Sequence, residues 1–423
     1  MKKLAIFGLA LAIMVTGLAL APQARAQKEI LIGVPTSLGF LEGKESLNSV
    51  NLAVDEINAA GGVKVGSEML PFKVETIDIR DAAPGVPVPE ALLGIEKLIL
   101  EKKPQALVVG PFRSEALMAS MDLITKHKVP LIGTIAMTPK TEGLIAKDPK
   151  YKYIFRTCLN AKDFVGYLVG TMAFLNQEFG FKKVYILNQD VAWARITAEI
   201  VSKILKEKLK MEVLGVEAYP TGTSDFSPAL MKAKIQGANI ILPIFDMPQS
   251  GTLVKQWKSM KVPAILAGFI SPAVGPAAWK TFDQKIGGMV NCVFEIGNMP
   301  AQKYEPATKF YEAYEKKYGQ PIEAGHGPAP SYASIYLLKT AIEKAGSLDP
   351  DKMADALATI QTAGTMGYIT FNQGHQVVYG KDPSKEALGA VFQWSEDGKR
   401  TIVYPPSLAE GKIQLPSWMK SLK

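Results

Sequence analysis

The chain is poor in the residues that build metal and redox chemistry. It has two cysteines, Cys158 and Cys292, and three histidines, His127, His326 and His375, in 423 residues. Two cysteines cannot make a disulfide framework or a structural zinc cluster. Three scattered histidines leave little for a histidine-based metal site. Motifs of nucleotide and acyl-transfer chemistry are missing too: no G-x-G-x-x-G follows the first strand candidate and no G-x-S-x-G elbow occurs. Gly39-Phe40-Leu41-Glu42-Gly43-Lys44 is one residue short of a P-loop, and Glu45 stands where that loop needs Ser or Thr. No histidine lies near a Ser or Cys in a triad-like context. Binding without catalysis, and without a cofactor or metal, is therefore the physical default.

Blocks of one charge sign are also lacking. Lys and Arg number 48 against 40 acids, a net charge of +8. The two signs interleave, as in Lys206-Glu207-Lys208 and Glu315-Lys316-Lys317. Such runs are solvated helix faces, not a stripe that tracks phosphates, which argues against a nucleic-acid partner. The chain is 48% apolar, enough for packed cores, so disorder is excluded.

Long apolar runs are absent except at the start. Met1-Lys2-Lys3 is cationic, Leu4 to Leu20 is free of charge, and Ala24-Arg25-Ala26 is a small-x-small site. This is the pattern of a secretory signal peptide over residues 1–26. An uncleaved anchor is the alternative, because the run is long for a signal; the position of the triplet favours cleavage. No cysteine precedes Cys158, which closes the lipid-anchored route. Cleavage removes Lys2, Lys3 and Arg25 and no acid, lowering the net charge from +8 to +5. No later run is long enough to span a bilayer, so the mature protein is expected not to be membrane-embedded.

What is present is repetition. Short Val- and Ile-rich runs predict strands at Ile30–Val34, Phe72–Ile79, Ala106–Val109, Pro130–Ile132, Val184–Leu187, Val213–Val216, Ile240–Ile244 and Ala264–Ala267. Amphipathic stretches alternate with them, among them Ser46–Ala59, Ser114–Lys126, Ala161–Phe179 and Ala192–Leu209. Strand then helix, repeated, specifies parallel sheets flanked by helices, and continuous apolar runs fit strands buried on both faces. The repeats form two blocks, about 28–156 and 159–290, followed by a tail that must pack on both. The expected architecture is α/β, with two lobes and a cleft where the chain crosses between them.

Ligands of open α/β sheets bind beyond the carboxyl ends of strands. That rule selects loops and their residues. Ser114 opens a helix after a Gly-Pro turn; it either caps that helix or offers a carboxylate-binding helix start. Thr138 before Pro139 caps or turns. Trp193 is an aromatic lid or a helix–sheet packing residue. Asp246 either accepts a ligand ammonium or hydroxyl, or makes an Asp turn before Pro248. Glu42 sits in the Gly39–Gly43 loop, a position that favours a solvated acid over one facing the cleft. His326, in Gly325-His326-Gly327, can line a cleft. Asp78 and Asp81 flank Arg80 and are expected to form a local salt bridge. Cys158 and Cys292 each lie near an expected crossing, so they form a hinge disulfide or stay as buried free thiols.

Asn48–Gly62 (NSVNLAVDEINAAGG), Gly110–Ser114, Ile154-Phe155-Arg156-Thr157, Asp225-Phe226-Ser227 and Val391-Phe392-Gln393-Trp394 together carry a resemblance. In this order, after a signal peptide, the chain resembles the type I periplasmic substrate-binding proteins of ABC importers, in the branched-chain amino acid group. The resemblance implies two doubly wound Rossmann-like lobes joined by a three-crossing hinge. Lobe 1 is expected at 28–157 plus 293–368, and lobe 2 at 158–292 plus 369–423. It also implies a periplasmic monomer that delivers a small molecule to ABC permease subunits. The family's carboxylate-binding serine falls on Ser114. Its Ala-Thr pair falls on Ala136-Met137, so the threonine hydroxyl is lost, with Thr138 following. Its stacking tyrosine falls on Trp193, and its second tyrosine on Asp246 or Met247. The aromatic near its first-strand loop falls on Glu42, and its ammonium-binding glutamate near Ile270. These departures leave open an amino acid, with Asp246 or Glu42 replacing the glutamate, or a ligand of another class such as an organic acid, amide or aromatic compound.

Overall fold

The computed structural model describes residues 29–423; the predicted signal segment lies outside them. The first block carries strands β1 (Ile30–Thr36), β2 (Val63–Val65), β3 (Glu68–Leu70), β4 (Phe72–Asp78), β5 (Ala106–Val109), β6 (Leu131–Gly133) and β7 (Ile154–Arg156). Helices α1 (Leu41–Ala59), α2 (Val88–Lys102), α3 (Ser114–His127) and α4 (Lys140–Lys147) connect them. Five of the strands form a parallel sheet in the order β4-β1-β5-β6-β7. β2 and β3 make a separate hairpin.

The second block carries α5 (Ala161–Phe179), β8 (Lys183–Gln189), α6 (Ala192–Glu207), β9 (Glu212–Tyr219), α7 (Ser227–Ile235), β10 (Ile240–Phe245), α8 (Gly251–Ser259), β11 (Ile265–Ile270), α9 (Ala278–Thr281) and β12 (Val290–Val293). The tail adds α10 (Glu305–Tyr318), α11 (Pro328–Ala345), α12 (Pro350–Leu357), the hairpin β13 (Gln361–Gly364) and β14 (Gly367–Thr370), then β15 (Ala390–Trp394) and β16 (Arg400–Tyr404). The second sheet runs β16-β15-β12-β11-β10-β8-β9, with β15 alone antiparallel to the others. Helices α10 and α11 return to pack on α1 of the first sheet's lobe.

All eight predicted strands form. Their cores are dry: β5, β10 and β11 are buried at every position, as strands covered by helices on both faces must be. The largest difference lies at α1, which starts at Leu41, five residues before the predicted Ser46. Gly39 and Gly43 read as loop residues. Gly43 is instead a helix residue packed so tightly on the end of β1 that a Cβ there would lie 2.0 Å from the Ser37 carbonyl. The glycine permits close approach of helix and strand.

Candidate functional site

Three passes of chain lie between the lobes: after β7, after β12, and between β14 and β15. Their polar groups are laced together. Glu295, fully buried after β12, accepts hydrogen bonds from the Leu159 amide at 3.0 Å, the Asn298 amide group at 2.9 Å and the Gly327 amide at 3.2 Å. It also meets Nδ1 of His326 at 2.9 Å. The third pass is tied to the first, where Gln376 Nε2 donates to the Cys158 carbonyl and the Tyr379 hydroxyl donates to the Thr157 carbonyl, both at 2.7 Å. Cys158 and Cys292 are both buried free thiols, so the hinge disulfide does not form. Burial raises the Cys158 thiol to about 12.

Beside these passes, loops from the two lobes close on a small cavity. Its apolar walls are Phe112, Ile135, Met137, Trp193, Phe269 and Phe294, and its polar residues are Glu42, Asp246 and His326. Phe269 and Phe294 lie 4.0 Å apart between ring centres, and Trp193 stands edge-on to both. The cavity measures about 10 Å³, room for about one water. A larger groove of about 380 Å³ opens outside it, lined by Asp81, Pro84, Val86, Arg113, Glu115, Val191 and Thr221 among others. Arg113 lines the groove and its partner Asp246 lines the cavity. A ligand of amino-acid size therefore enters only when the lobes, or this pair, part.

The pair is a cross-lobe ion bridge. Nη1 of Arg113 lies 2.5 Å from Oδ2 of Asp246, and both side chains are 8% exposed. The indole Nε1 of Trp193 donates to the same oxygen at 2.8 Å. Gln189 Oε1 accepts from the amides of Asp246 and Met247, fixing the turn after β10. The guanidinium lies over Phe112 and Phe40, 4.9 and 5.6 Å from the ring centres. On the strand side, Val109 closes β5 with φ +71°, a left-handed value costly for a β-branched residue. This strained end turns the chain into Gly110-Pro111 and aims Phe112 and Arg113 at the cleft.

Four of the eight candidate residues line the cavity: Glu42, Met137, Trp193 and Asp246. Ser114, Ala136, Thr138 and Ile270 are buried but are not among its lining residues. The carbonyls of Ala136 and Thr138 are taken by Nη1 of Arg156 at 3.0 and 2.7 Å, and the Thr138 hydroxyl accepts from the Lys140 amide at 3.3 Å. The Ile270 amide donates to Oδ1 of Asn291 and the Ile270 carbonyl accepts from Nδ2 of the same side chain. Ser114 does not cap its helix; its buried hydroxyl has no partner.

Glu42 is not a solvated loop acid. The early start of α1 puts it in the first helical turn, 2% exposed, where the Ser271 hydroxyl after β11 donates to it across the cleft. Burial and the neighbouring charge of Asp246 raise it to about 7, against the Ser271 hydrogen bond and the charge of His326. Asp81 is not in a salt bridge with Arg80 either. It accepts from the Ser37 hydroxyl and the Arg113 amide, both at 2.7 Å, while Arg80 meets Glu90. Arg113, Phe269, Phe294 and Glu295 escaped the sequence reading. Arg113 had a signal, a cation one residue before Ser114 in the loop that follows a buried strand.

Comparison with known proteins decides the family. The sequence matches the periplasmic binding protein family over residues 17–399. This chain belongs to that family. It is 25% identical over 399 residues to Leu/Ile/Val-binding protein homolog 8 of Brucella abortus, covering 91% of each chain. Its fold is shared with the branched-chain amino acid transporter substrate-binding protein of Streptococcus pneumoniae, solved with isoleucine: TM-score 0.72, 23% identity, covering 89% of this chain and 100% of that one. The ABC transporter solute-binding protein of R. palustris solved with benzoate has TM-score 0.72 and 14% identity, covering 93% and 99%. As a periplasmic binding protein, the molecule has two α/β lobes and a three-pass hinge, and its cavity lies where the lobes face each other. Among the described residues no helix is long and apolar enough to cross a membrane.

Proposed function

We propose that this protein is the solute-binding component of an ABC importer, exported by its first 26 residues, and that its two lobes close on an amino acid of the branched-chain class. The observation that carries the ligand reading is the pairing of two carboxylates, Glu42 and Asp246, with an apolar and aromatic box. Such a box suits an apolar side chain, and its ring faces and acids attract an ammonium. Glu42 reaches Ser271, beside the Ile270 position where the family's ammonium-binding glutamate is expected. A carboxylate is thus supplied to the same wall from the other lobe. A benzoate-like ligand is disfavoured, because its charge would face both acids.

The test is thermal denaturation with a panel of amino acids, organic acids, amides and aromatic compounds. A branched-chain amino acid at 100 times its Kd should add about 2.7 kcal/mol of stability. No shift with any amino acid would overturn the reading.

Glu42 adds a pH dependence. The groups that act on it are Asp246, Ser271, His326, Arg113 and Glu45. A ligand ammonium favours the ionised carboxylate, whereas Glu42 ordinarily half-holds its proton near pH 7. Amino-acid affinity should therefore rise between pH 6 and pH 8, with proton release on binding. Calorimetry in two buffers of different ionisation enthalpy measures that proton directly; Glu42→Gln should abolish its release.

A further inference from the structure

The charge inventory of the cavity carries the ligand class further, on the reading that this cavity is the ligand site. The cavity's only cationic side chain among the described residues is already engaged. Nδ1 of His326 meets Glu295 at 2.9 Å and Nε2 meets the Ile135 carbonyl at 2.6 Å, so both ring nitrogens serve the protein. Arg113 is not among the lining residues, with Nη1 on Asp246 and Nη2 facing the Ala82 carbonyl at 3.5 Å. The unpartnered hydroxyl of Ser114 is likewise not among them. What remains among the lining side chains is acceptor capacity. Oδ1 of Asp246 is buried without a partner, on a side chain 92% buried that lines the cavity. Glu42 receives one hydroxyl, from Ser271. The faces of Trp193, Phe269 and Phe294 add attraction for a cation.

We propose that the site reads the ammonium of its ligand and not the α-carboxylate, so that its substrates include apolar primary amines and amino-acid amides alongside amino acids. An ammonium has three donors and meets two carboxylates. A carboxylate in the same space meets two acids and none of the charged donors still free.

The test is isothermal titration of the purified protein at pH 7 with leucine, leucinamide, 3-methylbutylamine and 3-methylbutanoate. The amide and the amine are expected to bind within about tenfold of leucine, with the acid at least about a hundredfold weaker, the scale of lost charge-assisted bonds. Leucine binding with the amide and amine more than about tenfold weaker would overturn the proposal and leave the amino-acid reading standing. It would mean that Arg113 leaves Asp246 for the ligand carboxylate. Binding of the acid alone, or of none of the four, would overturn both.

Discussion

Replacing Glu295 with glutamine should lower the stability of the protein by about 3–5 kcal/mol, the cost of leaving one partner of a buried ion pair uncompensated. The carboxylate is fully buried and meets four donors. Burial opposes a charge on His326, but the Glu295 carboxylate, its hydrogen bond, the Ile135 carbonyl and Glu42 outweigh it, raising the imidazole above its ordinary value of 6.5. The geometry agrees, because a ring whose two nitrogens both face acceptors needs a proton on each. A glutamine removes the charge and presents one donor group where only donors now point. The sign of the pH effect follows. A raised histidine stabilises fully below the unfolded value of 6.5, and the contribution is lost as pH rises through the folded value. The wild-type advantage should therefore be largest at about pH 6 and shrink on the alkaline side. Urea denaturation of both proteins at several pH values measures it; a loss below about 1 kcal/mol at pH 6 would show that the pair is not ionised.

The second large effect falls on affinity. Asp246→Asn should weaken amino-acid binding by at least about tenfold, a conservative reading of one lost charge-assisted hydrogen bond. Three consequences coincide. The ligand ammonium loses a carboxylate, Arg113 loses its cross-lobe partner, and Trp193 exchanges a charged acceptor for a neutral one. Titration with leucine measures the change. Unchanged affinity would remove Asp246 from the site.

The sheets were legible because buried parallel strands are continuous apolar runs, and local composition marks them without tertiary information. The rule that ligands lie beyond strand ends then brought Trp193 and Asp246 forward, and both line the cavity. Other features depended on contacts that no local pattern encodes. Glu42 is hidden because the helix that carries it begins between two glycines, and only the packing of Gly43 on Ser37 makes that possible. Glu295 follows a short strand that the pattern did not mark, and its partners come from residues 136 positions earlier and 31 later. Phe269 and Phe294 look like ordinary core residues until β11 and β12 stand side by side. Ser114 sits as the resemblance expects in sequence, yet the turn of the strained strand end presents Phe112 to the cavity instead.

The cross-lobe contacts also bear on how freely the molecule opens. Arg113 with Asp246, Ser271 with Glu42, and the Ala192 amide with Glu115 join the lobes directly, without an intermediary. Part of the free energy of closing thus resides in the polypeptide itself. A ligand shifts the balance between open and closed forms only by the difference in its affinity for the two. One that displaces the arginine bridge must first replace what the bridge contributed. Tight contact with a single lobe would then go unnoticed by the hinge, and the bridge acts as a threshold that selects for ligands able to bond both lobes at once.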